Sequence, residues 1–150
     1  MVTSRLVATT ACYLVWATCA ALVAIVRDLP AGFAGFSTGL SARDDFLIGI
    51  GTALSPPLWW MLAQAFFALR AWRTSPPSRG AIAALTGFGL LEFIGALGEP
   101  VTFRALAPST FDPLLAVVQL GMILLPLGAA CFGVVAFLSA MPTTGGRARS

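Results

Sequence analysis

Four long apolar stretches dominate the chain and restrict what it can fold into. They span residues 6–26, 46–69, 80–98 and 114–140. Each is long enough to cross the hydrocarbon core of a bilayer as a helix, and helices satisfy the backbone hydrogen bonds that lipid cannot. The sequence therefore predicts an all-α membrane protein, a four-transmembrane-helix bundle, formed by a single domain over residues 1–141.

The composition agrees with this class and argues against several functions. Hydrophobic residues make up 58% of the 150 residues and charged residues only 10%, whereas soluble domains are about a quarter charged. The chain has no His, and all nine basic residues are Arg. It therefore lacks a histidine base or metal ligand and a phosphate-binding lysine. We expect no catalytic residues, no cofactor and no metal, and predict that the protein is not an enzyme.

The charged residues are divided unequally between the two sides of the predicted bundle. The N-terminal residues, the loop at 70–79 and the C-terminal tail together contain six arginines and no acid. The other two loops contain three arginines and five acids. Since positive charge favours the cytoplasmic side, both termini are predicted to be cytoplasmic, with a disordered tail at 142–150. The predicted location is the plasma membrane, multi-pass, in a bacterial inner membrane.

Prolines interrupt two of the four stretches. Pro56 and Pro57 lie in the second stretch and Pro126 lies in the fourth. Proline removes a backbone donor and clashes with the preceding turn, so helices two and four are predicted to be broken or kinked there. Matching the chain to itself after a shift of 70 residues superposes Pro56 on Pro126, but the similarity is weak, and whether this internal repeat is real stays open.

Glu92 is the acid that lies deepest inside an apolar stretch of this sequence. The centre of the third stretch is Gly89, so Glu92 lies roughly 4–5 Å from the bilayer midplane. A charge at that depth costs at least ~2.5 kcal/mol, which makes an intramembrane acid a candidate for function. Glu99 follows two turns later on the same face. Two acids on one face can form a path for a proton or a cation.

Other polar residues complete a candidate intramembrane site. Its members are Glu92, Glu99, Gln119, Gln64, Ser55 and Thr52. Gln119 is close in depth to Glu92 and is its natural polar partner. The alternative is that Glu92 is a structural hydrogen bonder held by Thr52, Ser55, Gln64 or Gln119. Glu99 and Arg104, five residues apart across a bend, are predicted to form a local ion pair.

Two functions remain open after this reading. The first is a non-catalytic accessory or structural membrane protein, which fits the sparse polar chemistry. The second is a small homo-oligomeric proton-coupled transporter or permease centred on Glu92. The expected partners are the lipid bilayer and either further copies of the chain or a partner membrane subunit. No nucleic acid is expected, because the arginines flank apolar stretches.

Overall fold

The computed structural model describes residues 2–32, 37–76 and 78–140. Within these ranges the chain is all-helical and forms no β-strand, which confirms the all-α class. The predicted disordered tail at 142–150 lies outside the described residues. The helices are α1 (Val2–Val26), α2 (Ala42–Ile48), α3 (Leu58–Arg73), α4 (Arg79–Gly98), α5 (Pro100–Leu106) and α6 (Pro113–Ser139).

Three of the described helices, α1, α4 and α6, are long and apolar enough to cross a membrane. They contain 25, 20 and 27 residues, or about 30–40 Å at 1.5 Å per residue. They correspond to the first, third and fourth predicted spans. Local capping sets their limits, since the side chain of Asp112 accepts hydrogen bonds from the backbone N–H groups of Leu114 and Leu115 at the start of α6.

The second predicted span, 46–69, is not one continuous helix. The short helix α2 ends at Ile48, and α3 begins directly after Pro57. Between them the chain is irregular, because two adjacent prolines cannot donate helical hydrogen bonds and Gly51 takes a φ of 110°. The 16 residues of α3 extend about 24 Å, which is less than the ~30 Å hydrocarbon core. The expected break at Pro56 and Pro57 therefore divides the span into two helices.

The segment at 49–57, here called the broken segment, satisfies its backbone inside the protein. Thr52 N donates to Ser55 O over 2.8 Å, and the two hydroxyl oxygens are 3.0 Å apart. Ala53 N donates to Leu29 O over 3.1 Å. Irregular backbone at membrane depth is tolerated where protein or a cavity surrounds it. In contrast, α6 continues without a break through Pro126.

The helices approach closely where glycine faces a neighbour, and α4 and α6 form the most extensive pair. A Cβ on Gly89 would lie 2.8 Å from Pro126 O and 3.0 Å from Ala130 N. Gly121 of α6 similarly leaves room for the Trp16 indole, which donates to Val118 O at 3.0 Å. Small residues at helix contacts are characteristic of membrane bundles, and here they fix the height and rotation of α4 against α6.

Polar contacts tie the helix ends together. The Arg27 guanidinium is 2.5 Å from the Asp112 carboxylate, which joins the end of α1 to the start of α6. This contact holds the pKa of Asp112 below its ordinary value. The predicted pair of Glu99 with Arg104 does not form, because Glu99 instead accepts from the backbone N–H of Gly32 at 3.3 Å. The partner of Glu99 therefore comes from the segment after α1, which the short spacing of Glu99 and Arg104 in the sequence did not predict.

The outside of the bundle is strongly apolar. Large side chains on the three longest helices and on α3 are well exposed, including Val15, Leu62, Phe66 and Leu124. Apolar surface of this extent marks a membrane or protein contact in general. Together with the three long apolar helices, it is compatible with a membrane location.

Candidate functional site

A cavity of about 460 Å³ lies between α1, α3, α4, α6 and the broken segment. Its volume falls within the usual range for small-molecule sites. Five of the six predicted site residues line it, and these are Thr52, Ser55, Glu92, Glu99 and Gln119. The sixth, Gln64, reaches the cavity through its hydrogen bond to Glu92. The tertiary structure therefore brings together residues from helices that are distant in sequence.

The Glu92 carboxylate is held by two donors from α3. Trp60 Nε1 donates to Oε1 at 2.9 Å, and Gln64 Nε2 donates to Oε2 at 2.8 Å. The two donors are four residues apart, so they project from the same face of α3. Because Pro57 fixes where α3 begins, it also fixes which face of this helix meets α4. Only 8% of Glu92 is exposed.

The aromatic side chain of Trp60 is itself held in place. Its ring packs edge-on against Phe88, with centroids 4.7 Å apart and an angle of 87° between the rings. Trp59 packs edge-on against Trp60 at 5.7 Å on the other side. Such edge-to-face contacts favour one ring orientation. The indole N–H is therefore held in the orientation in which it donates to Glu92.

Two buried polar atoms next to this carboxylate have no hydrogen-bond partner in the described part of the chain. Tyr13, on α1, lines the cavity and is 1% exposed, and its hydroxyl faces Glu92 without reaching hydrogen-bond geometry. Gln64 Oε1, on the amide that donates to Glu92, is also buried and has no partner among the described residues. Leaving a buried polar atom unsatisfied costs about 1–3 kcal/mol. An unpartnered buried group beside a cavity is explained by a water, an ion or a functional role at that place.

Glu99 lies at the edge of the same cavity, just beyond the end of α4. It is about 10 Å along the helix axis from Glu92, because the two residues are seven positions apart. Burial raises the pKa of Glu99, and the hydrogen bond from Gly32 opposes that rise in part. The cavity therefore has one carboxyl group in its depth and another near the end of the bundle.

The remaining predicted polar residues have structural contacts. Gln119 was expected to be the partner of Glu92, but its Nε2 donates to Ala53 O at 3.2 Å and so holds the broken segment against α6. Thr52 and Ser55 bond to each other. Of the four side chains considered as partners for Glu92, Gln64 alone bonds to it in the described part of the chain.

Sequence reasoning missed the contributions of Tyr13 and Trp60 to this site. Tyr13 is the one tyrosine of the chain and lies in a long charge-free stretch, so its hydroxyl needed a polar neighbour. Trp60 precedes Gln64 by four residues and carries a donor. The sequence therefore showed that both side chains carry a polar group in an apolar stretch, but it did not show which helix each would face.

The carboxyl groups of the cavity lining are not balanced by a basic side chain of the described residues. Two carboxyl groups line the cavity, and no arginine of the described part of the chain is among its lining residues. Within the described ranges, no group of three or more Cys, Asp and Glu residues is placed to hold a metal ion. The cysteines Cys12, Cys19 and Cys131 are unpaired and exposed on the helices. The site therefore offers acceptors, aromatic faces and apolar walls to whatever occupies it.

Comparison of the chain with protein-family models, with curated proteins and with solved structures finds no match. Any assignment of function must therefore come from the geometry of the cavity and the residues around it.

Proposed function

We propose that this protein is a small proton-coupled transporter or permease whose solute site is the cavity at Glu92. The observation that carries the proposal is the position of the Glu92 carboxyl group in the wall of a 460 Å³ cavity between helices that a membrane would enclose. An acid inside a membrane protein is a functional candidate in general. Here it also has a space in which a solute can lie beside it.

The coupling rests on competition for one carboxyl group. When Glu92 carries a proton, it needs no counter-charge; when the proton leaves, a positively charged group or strong donors must compensate the carboxylate. Trp60 and Gln64 supply two such donors. Solute and proton therefore alternate at the same group, and the proton that leaves on one side of the membrane is replaced from the other.

The proposed membrane topology has four crossings with both termini in the cytoplasm. In it, α3 and the broken segment together make the second crossing, because α3 by itself is shorter than the hydrocarbon core. The side chain of Arg79 donates to Ala140 O, which joins the start of α4 to the end of α6. Arg70 and Arg73 in the last turn of α3 and Arg79 at the start of α4 lie at this end, and arginines favour the cytoplasmic side.

The proposed location is a bacterial inner membrane, and the proposed assembly is a homo-oligomer. Four helices of one chain enclose the cavity, so solute binding does not depend on a second copy. The oligomer is therefore a separate proposal, and light scattering of the detergent-solubilised protein measures it independently of transport.

A transport assay with matched solutes tests the proposal. Purified protein in liposomes is given benzylguanidine, benzylurea or phenylacetate, which resemble one another in size but carry positive, zero and negative charge. We expect a pH gradient to drive uptake of at least one solute, and Glu92→Gln to abolish it. Asp44→Asn is the matched control, because Asp44 is an exposed acid that contacts Ser41 outside the cavity. Uptake above that of protein-free liposomes that survives in Glu92→Gln would contradict the proposal, as would the absence of such uptake of all three solutes by the wild type.

The second candidate is a non-catalytic accessory or structural membrane protein. The observation that favours it is that both oxygens of Glu92 already accept a hydrogen bond from α3. Such a pair can serve packing alone, since interhelical hydrogen bonds contribute about 0.6 kcal/mol on average. This candidate predicts that Glu92→Gln lowers thermal stability slightly and that no solute movement depends on the residue.

A further inference from the structure

We propose that the ligand of this cavity is an organic cation whose charged group carries N–H donors, an ammonium or a guanidinium joined to an apolar body. This inference rests on the proposed function in one respect, because it takes the same cavity as the solute site. It adds the charge, the donor capacity and the apolar character of the solute.

The charge follows from what faces the cavity. Glu92 and Glu99 both line it, and no basic side chain of the described residues does. An anion would meet two carboxyl groups without a compensating cation, in surroundings where like charges are poorly screened. A cation would instead pair with Glu92 at a depth where an unpaired charge is costly. The lining therefore favours a positively charged occupant.

The donor capacity follows from a surplus of acceptors. A carboxylate has about four lone-pair sites, and Glu92 uses two of them with Trp60 and Gln64. Tyr13 Oη and Gln64 Oε1 are buried beside it without partners in the described part of the chain. A guanidinium or ammonium brings several N–H donors and no acceptor. It satisfies the free carboxylate sites and the unpartnered Tyr13 hydroxyl together.

The residues that line the cavity indicate that the ligand has an apolar body. Trp59, Trp60, Leu54 and Met122 line the cavity along with the acids. The faces of Trp rings attract cations, and aliphatic walls favour hydrocarbon groups. A small hydrated metal ion does not match these walls, because hard cations require a shell of six or more oxygen ligands. The site is suited to an organic cation of small-molecule size.

Access to the cavity lies between α3 and α4. Trp59 and Leu91 line the cavity and are 53% and 57% exposed, so the cavity reaches the outside of the bundle beside them. Both side chains are largely apolar. Amphipathic solutes concentrate at apolar surfaces. An organic cation with an apolar body can therefore approach along the membrane side of the protein.

Equilibrium binding to wild-type protein tests the proposal without relying on a variant. The protein is placed in nanodiscs of zwitterionic lipid, which limits non-specific attraction of cations, and empty nanodiscs give the background. Benzylguanidine is compared with benzylurea, which has the same shape and no charge. We expect benzylguanidine to bind saturably and at least 10-fold more tightly than benzylurea or phenylacetate. Equal or tighter binding of either of these, or no saturable binding of benzylguanidine, overturns the proposal.

Three variants identify the groups responsible. Glu92→Gln is expected to weaken benzylguanidine binding at least 10-fold. Tyr13→Phe is expected to weaken it several-fold while leaving benzyltrimethylammonium, which has no N–H donor, unaffected. Gly95→Leu fills the cavity from α4, where a Cβ would meet no atom within 4 Å, and is expected to abolish binding with every polar group still present. Unchanged affinity in Glu92→Gln and Gly95→Leu, with monodisperse protein, places the ligand elsewhere and overturns the assignment.

The two proposals fail in distinguishable ways. Benzylguanidine that binds in nanodiscs and is not moved by a pH gradient in liposomes leaves the ligand class standing and contradicts transport. A pH gradient that drives uptake of benzylurea and not of benzylguanidine leaves transport standing and contradicts the cation. Absence of both binding and uptake contradicts both.

Discussion

Gln64 Nε2 lies 2.8 Å from Glu92 Oε2 and links α3 to α4 through an amide and a carboxyl group, each less than one-tenth exposed. These residues are 28 positions apart, on helices separated by the loop at 74–78. The contact connects the acid of the third apolar stretch to a helix that exists as a separate unit because of Pro56 and Pro57. The proline break and the buried acid, which are independent in the sequence, thus meet in one site.

We predict that Gln64 and Glu92 are energetically coupled. Gln64→Leu leaves a carboxylate oxygen without its donor and is expected to destabilise the protein by about 1–3 kcal/mol. Replacing both residues by Leu removes the unsatisfied group as well, so the double variant is expected to be more stable than the sum of the two single effects predicts, by roughly 0.5–3 kcal/mol. Thermal unfolding of the four proteins in one detergent measures this. Strict additivity would show that the hydrogen bond has no energetic role.

We predict opposite effects of alanine at two neighbouring glycines of α4. Gly89→Ala places a methyl group 2.8 Å from Pro126 O, and such overpacking is expected to destabilise by roughly 1–3 kcal/mol. Gly87→Ala is the matched control, because a Cβ there meets no atom within 4 Å. It is expected to stabilise by up to ~1 kcal/mol through helix propensity. Equal melting temperatures for the two variants would show that α4 and α6 do not pack as described.

We predict that Glu99 makes stability fall as pH rises. Burial raises its pKa above the ordinary value of 4.5, so the folded protein holds this proton more tightly than the unfolded chain. The resulting stabilisation is fully present below the unfolded pKa and is lost as pH rises through the raised folded pKa. Glu99→Gln is expected to remove this part of the pH dependence, measured as melting temperature between pH 4 and pH 8.

Asp112 provides a contrast of opposite sign at the same end of the bundle. The hydrogen bond from Arg27 lowers the pKa of Asp112, so its contribution is present above the unfolded pKa and is lost as pH falls through the lowered folded pKa. When the measurement is extended below the ordinary Asp pKa of 3.8, Asp112→Asn is therefore expected to flatten the acid limb of the curve, whereas Glu99→Gln flattens the limb above it. A Glu99→Gln curve that parallels the wild type throughout would contradict the burial effect.

We predict that positions 75 and 110 lie on opposite sides of the membrane. In a background with Cys12, Cys19 and Cys131 replaced by Ala, a membrane-impermeant maleimide on intact cells is expected to label Thr110→Cys. Ser75→Cys is expected to react only after the cells are permeabilised, because the arginines around it favour the cytoplasm. Labelling of Ser75→Cys from outside would reverse the orientation, and labelling of both positions from outside would contradict the crossing by α4.

Much of the helical organisation could be predicted because its signals are local. The ends of α4 and α6 lie within one residue of the predicted limits, since a capping residue and the start of an apolar stretch mark them. The second span was expected to be broken or kinked at Pro56 and Pro57, and α3 does begin directly after Pro57, but the irregular segment already starts after Ile48. A proline pair indicates that one helix cannot continue through it, but not how many residues before the pair are irregular.

The contacts of the candidate site depended on more than the sequence pattern. Depth along a helix suggested Gln119 for Glu92, but Gln119 bonds to Ala53 instead. Height alone does not determine which side chains meet, because the rotation of each helix also matters. Here the close approach at Gly89 and the start of α3 after Pro57 set that rotation, and neither feature can be read from hydropathy.

The sequence by itself determined the all-α class, three long apolar helices, the interruption at Pro56 and Pro57, and the presence of an acid in the third apolar stretch. These features follow from composition, period and backbone chemistry, which act over a few residues. The tertiary structure decided that Trp60 and Gln64 hold Glu92, that the Tyr13 hydroxyl faces it without a hydrogen-bond partner among the described residues, and that a cavity lies beside Glu92, Trp60 and Tyr13. Such contacts join helices far apart in sequence, and the packing of small side chains between those helices selects them.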